Sequence, residues 1–233
     1  MRVEGFLRES LGRHPDKTAL VAGPSRLSYR ELAVRVRALA CALRAQGVRP
    51  GDRVVVFLHN SAEAAVAVFA VLEAGAVLSV INPGTKADKL AYILNNCTAK
   101  ALVTEPRLGA TANAAKQFAP SVATTITVPF EFENASAPRS AGIDLDLAMI
   151  VYTSGSTGFP KGVTMTHANI VAAATSITTY LESRTEDVVL SVLPLAFDYG
   201  LYQALMCAKV GATLILEKSF TFPQAILEKV RAE

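Results

Sequence analysis

Residues 64–81 confine this 233-residue chain more than any other stretch, being eighteen almost wholly apolar residues, about the length of a minimal membrane-spanning helix. Glu73 and Gly75 interrupt the run, and Asn60 to Glu63 has the spacing of a capping box. A helix over 61–74 followed by a strand over 76–81 therefore accounts for it better than a membrane span.

The rest of the chain alternates in the same manner. Residues 17–27 read as a hairpin turning at Gly23-Pro24. Ser28 and Glu31 make a capping box for a helix to about Gln46, with Leu32, Val36, Leu39, Ala40 and Leu43 on one face and Gly47 as its stop. A strand over 53–58 follows the Pro50-Gly51-Asp52 turn. Thr85 is expected to cap a helix ending near Asn95, and strand 100–104, helix 107–118 and strand 124–128 come next. After a polar stretch the pattern predicts strands over 148–152 and 162–165 and a helix from Thr166 to about Leu181. It ends with strand 188–193, helix 201–208, strand 212–216 and a helix from Pro223. Such alternation predicts an α/β fold with largely parallel sheets. Two subdomains are expected, residues 1–129 and 148–233, joined by a linker over 130–147 where the apolar period is lost.

Composition excludes several classes. Hydrophobic residues make up 51% of the chain and charged residues 18%, so it is not a disordered chain. The 23 basic and 20 acidic residues are dispersed, which points away from nucleic acid and from a polybasic membrane contact. Met1 to Ser10 lacks the apolar core of a secretory signal. Cys41, Cys97 and Cys207 are far apart and without C-x-x-C spacing, so neither a disulfide framework nor a metal site is expected. Reduced thiols fit a cytoplasmic location.

Function is concentrated in Tyr152-Thr153-Ser154-Gly155-Ser156-Thr157-Gly158-Phe159-Pro160-Lys161-Gly162-Val163, which leaves an apolar strand. Three glycines in eight residues let the backbone turn through positive φ and approach a ligand closely, and amides in such a turn can point inward as an anion nest. Four hydroxyls add donors, Lys161 adds a positive charge, and Pro160 stiffens the loop before it. Lys161 stands between Pro160 and Gly162, which does not fit the P-loop pattern of nucleoside triphosphatases, and no G-x-S-x-G elbow is present.

The stretch resembles, nearly letter for letter, the signature Y-T-S-G-[ST]-T-G-x-P-K-G-V of the adenylate-forming superfamily, which includes acyl-CoA synthetases and peptide-synthetase adenylation domains. The resemblance runs along the chain through Leu27-Ser28-Tyr29-Arg30-Glu31-Leu32, Gly51-Asp52-Arg53-Val54, and Leu72-Glu73-Ala74-Gly75-Ala76 with Asn82-Pro83. It implies attack of a carboxylate on the α-phosphate of ATP, giving an acyl adenylate and pyrophosphate, and then transfer to a thiol of coenzyme A or of a phosphopantetheine carrier protein. Carried over, Thr153, Ser154, Gly155, Ser156, Thr157, Gly158 and Lys161 would hold the departing pyrophosphate, Lys161 being the catalytic residue and Mg²⁺ sharing the charge.

Leu193-Pro194-Leu195-Ala196-Phe197-Asp198-Tyr199-Gly200 resembles the family's L-P-x-x-H-x-x-G, with Phe197 where the histidine would be. Phe197-Asp198 is similar to the F-D of amino-acid-activating domains, whose aspartate pairs with the substrate amine. The other reading open to Asp198 is a cap of the following helix. His167, in a Thr-His-x-Asn that the family also has, is expected to be structural. The family's later motifs, an aromatic-Gly-x-Thr-Glu, a Thr-Gly-Asp and a lysine-bearing C-terminal domain, do not occur. The chain is therefore expected to be an incomplete N-terminal part of an adenylate-forming ligase, inactive alone. A non-catalytic phosphate-binding or partner-binding module is the alternative.

Overall fold

The structure, a computed structural model, describes residues 1–129, 142–153, 158–218, 220 and 223–232. Its centre is the apolar run. Helix α3 (Ala62–Glu73) is buried along its whole length apart from Glu63, and Gly75, at φ 74°, turns the chain into strand β4 (Val77–Ile81). A helix apolar on every side must be covered on every side. Two sheets and helix α2 (Tyr29–Ala45) do this.

The larger sheet has six strands in the order β6-β5-β3-β4-β7-β8, formed by β3 (Arg53–Phe57), β4, β5 (Ala99–Thr104), β6 (Thr124–Thr127), β7 (Leu147–Thr153) and β8 (Lys161–Thr166). All pairings are parallel except β7 with β8 at the edge. Strand β3 alternates across it: Val54 and Val56 face the core that holds α3, whereas Val55 and Phe57 face helices α4 (Ala87–Asn96) and α5 (Gly109–Lys116). Burial on both faces explains the unbroken Val-Val-Val-Phe of a central parallel strand.

The second sheet closes the other side of α3, in the order β2-β1-β10-β9, with β1 (Thr18–Ala22) and β2 (Ser25–Ser28) from the start of the chain and β9 (Val188–Ser191) and β10 (Thr213–Leu216) from near its end. Leu20 and Leu214 are register partners in the parallel β1–β10 pair and both enter the α3 core. Sheet membership thus crosses the 130–147 stretch in both directions, with β7 and β8 on the sheet of residues 53–127 and β9 and β10 on that of residues 18–28. The boundary expected there separates no two sheets. Residues 130–141 lie outside the described residues.

Local signals set most helix starts. Ser28 Oγ accepts from Glu31 N–H while Glu31 Oε2 accepts from Ser28 N–H, the capping box of α2 (Tyr29–Ala45). Thr166 and Asn169 form the same box at α6 (His167–Tyr180). Two expected caps are corrected. Ser61, not Asn60, caps α3, and Lys86, without a side-chain bond, stands where Thr85 was expected to open α4. Helix α7 (Asp198–Val210) starts three residues earlier than the sequence pattern predicts, and α8 (Pro223–Ala232) closes the chain.

Helix α1 (Glu4–Arg13) has no counterpart in the sequence reading, because it has no side-chain cap and its anchors are remote. Ser10 Oγ donates to Ala208 O at 2.6 Å, Arg8 forks onto both oxygens of buried Glu73, and Val3 N–H donates to His167 Nδ1 at 3.2 Å. His167 is 1% exposed and Arg2 lies 3.1 Å from its Nε2. Burial, and next the Arg2 charge, hold its pKa down to about 4, against the opposing pull of Asp146 and Asp144.

A depressed histidine stabilises the fold fully above its unfolded value near 6.5, and that contribution is lost as pH falls toward 4. Denaturation at stepped pH is expected to show a His167-dependent loss of roughly 2–3 kcal/mol between about pH 6.5 and 4. His167→Gln should remove this pH dependence. Glu4, whose carboxyl is pushed up chiefly by its own burial, acts in the opposite sense, and because its Oε2 lies 3.7 Å from His167 Nδ1 the comparison is made in a Glu4→Gln background.

Candidate functional site

The hairpin at the edge of the larger sheet carries the site. In the β7–β8 register Thr153 faces Lys161 and Tyr152 faces Gly162, so the loop between them leaves the sheet at a mouth flanked by a hydroxyl and an ammonium group. Both residues are exposed, Pro160 is buried, and Gly158 takes φ 88°, a conformation that favours glycine. Ser154, Gly155, Ser156 and Thr157 lie outside the described residues. Among the described members of the expected set, Thr153, Gly158 and Lys161 are therefore brought to one place.

Gly162 has a steric reason. A Cβ there would lie 2.8 Å from Ile150 Cγ2 and 3.3 Å from Tyr152 Cζ, so the Tyr152 ring lies across the bare backbone of β8. Burial pushes the Tyr152 phenol up, keeping it neutral, and its hydroxyl donates to Asn96 Oδ1 at 2.6 Å.

Phe197 and Asp198 stand at the start of α7, over a crevice walled by Leu78, Met149, Ile150 and Val151. Strand β7 thus lines this crevice with residues 149–151 and reaches the loop mouth two residues later. The N-cap is Phe197, which makes no side-chain cap bond, while Asp198 is the first helical residue and its Oδ1 accepts from Tyr199 N–H at 2.8 Å. Asp198 serves the helix start with one oxygen and is still exposed at the crevice. Its charge in the first turn also suits the positive end of the helix dipole. Gly200 is forced by packing, because a Cβ there would stand 2.4 Å from Pro194 O and 2.9 Å from Leu193 O.

Asn60 is the residue that sequence reasoning misplaced. Its Nδ2 donates to Leu193 O and Glu217 O, each at 2.9 Å, and its Oδ1 accepts from Leu195 N–H at 2.9 Å. One buried amide therefore ties the end of β3 to the Leu193–Leu195 turn and the end of β10, setting the height of Phe197 and Asp198. No local pattern announces partners so far away.

A cavity of about 580 Å³ opens elsewhere, between the β1–β2 turn, the start of α3 and Glu217-Lys218, and shares no residue with the hairpin. That cavity is the larger, and it too carries a positive-φ glycine, Gly23, the Ser25 and Ser61 hydroxyls and the exposed Lys218, but Glu63 and Glu217 also line it, and their carboxylates oppose an anion, whereas the hairpin mouth brings Lys161 and Thr153 together on the glycine- and hydroxyl-rich stretch. The described residues include no cluster of three His, Cys, Asp or Glu able to hold a metal ion.

The family described as AMP-binding enzyme matches residues 7–233. The phosphinothricin tripeptide synthetase PhsC of Streptomyces viridochromogenes is 37% identical over 232 residues, covering 97% of this chain and 20% of its own length. The apo structure of Mycobacterium smegmatis MbtA superposes with a TM-score of 0.91 at 29% identity, covering 99% of this chain and 46% of that one. VinN, solved in complex with L-aspartate, gives 0.80 at 26% identity, covering 93% and 57%. The chain therefore spans about a fifth of the curated relative and roughly half of each solved one.

Close packing at the second motif is directly testable. Gly200→Ala is expected to cost about 1–3 kcal/mol in urea unfolding, because its Cβ meets backbone carbonyls that cannot swing aside. Gly109→Ala on α5, where nothing lies within 4 Å, is expected to be neutral or slightly stabilising. Equal effects would contradict the close approach.

Proposed function

Because the chain belongs to the AMP-binding enzyme family, we propose that it supplies the pyrophosphate-holding part of an AMP-forming ligase that activates a small carboxylic acid, and that this acid is an amino or imino acid. The observation that carries the first half is the Thr153–Lys161 pair at the mouth of a glycine- and hydroxyl-rich loop. In the reaction a carboxylate oxygen of the substrate bonds to the α-phosphorus of ATP and the bond to the bridging oxygen breaks. The electron pair leaves with pyrophosphate. Lys161 meets that growing charge with a cation, and the loop hydroxyls and amides donate to its oxygens, so the chain stabilises the leaving group by position and electrostatics. A thiol, of coenzyme A or of a carrier protein's phosphopantetheine, then takes the acyl group and releases AMP.

Support for the substrate class comes from the exposed rim of the crevice, whose own volume of about 10 Å³ has room for no more than a water. An exposed carboxylate at Asp198 and an aromatic wall at Phe197 suit an ammonium group held beside an apolar surface. A matching plain acid would bring a second negative charge with no cation. The printed names of PhsC, a tripeptide synthetase, and of VinN with L-aspartate are consistent with that class. Reduced thiols at Cys41, Cys97 and Cys207 fit a cytoplasmic location, and no helix among the described residues is long and apolar enough to cross a membrane.

In the full-length ligase, Lys161→Ala is expected to lower carboxylate-dependent ATP–pyrophosphate exchange about 10²-fold while unfolding at the same denaturant concentration, since the side chain is exposed. Asp198→Ala in the same assay should erase the preference for amino acids over their deaminated analogues. Unchanged exchange in a folded Lys161 variant would remove the phosphate role. Preference for plain acids, with Asp198→Ala harmless, would leave Asp198 as part of the helix start.

A further inference from the structure

We propose that helix α4 is the positioning element of the phosphate loop, with Tyr92 and Asn96 as the positioning residues that hold its two ends, an inference that rests on assigning the loop to pyrophosphate. Tyr92 and Asn96 are four residues apart on α4 and so project from one face. Each meets a different end of the loop. The Tyr92 ring packs on Phe159 with centroids 4.9 Å apart and planes tilted by 36°, two residues before Lys161. Asn96 Oδ1 accepts from Tyr152 O–H at 2.6 Å, one residue before Thr153.

Position in the fold explains why such a brace matters. Strand β8 is an edge strand, with a pairing partner on one side only, and Lys161 to Thr164 are exposed. An edge hairpin held only by its own ladder can twist away from the sheet. Helix α4 is firmly seated, since Leu90, Ala91, Ile93 and Leu94 are buried with Val55, Phe57 and Leu102 of the sheet. The opposite side of the helix is therefore a fixed surface. Gly162 completes the arrangement: with no Cβ, it lets the Tyr152 ring cross β8 and present its hydroxyl to Asn96. Charge-assisted bonds to phosphate oxygens require donors held to within about 0.5 Å, so loosening either contact should weaken phosphate binding. Asn96 and Phe159 are exposed, whereas Tyr92 and Tyr152 are half-buried against the α4 core, so Asn96→Ala removes a contact without core packing and Tyr92→Ala removes some of both.

The test uses the 233-residue chain with Tyr92→Ala, Asn96→Ala, the double variant, Tyr92→Phe and Lys161→Ala. Hydrogen exchange of the 158–163 amides is expected to accelerate in the alanine variants and most in the double, with β3 to β5 unchanged, whereas Tyr92→Phe keeps its ring contact and the original rate. Calorimetric titration with magnesium pyrophosphate is expected to show about a two- to tenfold loss of affinity for Tyr92→Ala. Lys161→Ala should lose binding without altering exchange. Unchanged exchange and affinity in the double variant would overturn the brace. Acceleration spread through β3 to β5 would overturn it too, making α4 a stability element rather than a positioning one. If pyrophosphate binds equally with and without Lys161, or not at all, the phosphate assignment fails, and the exchange rates alone decide whether α4 holds the hairpin.

Discussion

Burial of α3 along all but Glu63 is the constraint on which the rest of the structure depends. A helix of Ala, Val, Leu and Phe with no polar stripe cannot lie on a surface, and at about 25 cal/mol per Å² of apolar area its exposure would cost more than the chain can offset elsewhere. It therefore requires apolar cover all round, and helix α2 supplies the most extensive part of it, with strands on two further sides. Strands β3 and β4 supply one side as the immediate chain neighbours of the helix. Strands β1 and β10 supply the other, and their parallel pairing brings Leu20 beside Leu214 from opposite ends of the sequence.

The site follows from that arrangement. Strand β7 joins β4 in parallel and runs out at the carboxyl ends of β3, β4 and β5, where open α/β sheets commonly place their ligands. The chain then reverses into β8, and β7 walls both the Thr153–Lys161 mouth and the Phe197–Asp198 crevice. Glycine has a different task at each of three positions. Gly158 takes a left-handed turn, Gly162 admits the Tyr152 ring, and Gly200 lets α7 close onto the Leu193-Pro194 carbonyls.

What could be read from the sequence was set by the range of the interactions. The capping box of α2 and the opening of α6 at Thr166 were legible because such signals lie within one turn, and the glycine stops and apolar periods are local too. Largely parallel pairing was legible from the alternation of strand and helix, but which strands join which sheet, and the antiparallel exception at the edge, were not. The pattern predicts strands over 148–152 and 162–165, but only pairing shows that β8 runs antiparallel at an edge while β9 and β10 leave for the other sheet. Asn60 was read as a helix start because its local context resembles one, whereas its three hydrogen bonds reach 133, 135 and 157 residues along the chain. Helix α1 escaped for the same reason, its bond to His167 spanning 164 residues. The loop itself was legible because its chemistry is packed into twelve consecutive residues. Its support from α4 was not, since Tyr92 and Asn96 belong to an ordinary amphipathic helix until the fold sets them beside Phe159 and Tyr152.

The central claim is that phosphate is held at the β7–β8 hairpin and not in the wider cavity beside α3. Amide chemical-shift mapping of the isotope-labelled chain during titration with magnesium ATP tests this most directly. Saturable shifts at Thr153, Gly158 and Lys161, with their neighbours on β7 and β8, are the predicted result. Shifts confined to Gly23–Ser25, Asn60–Glu63 and Glu217-Lys218, with the hairpin silent, would contradict it.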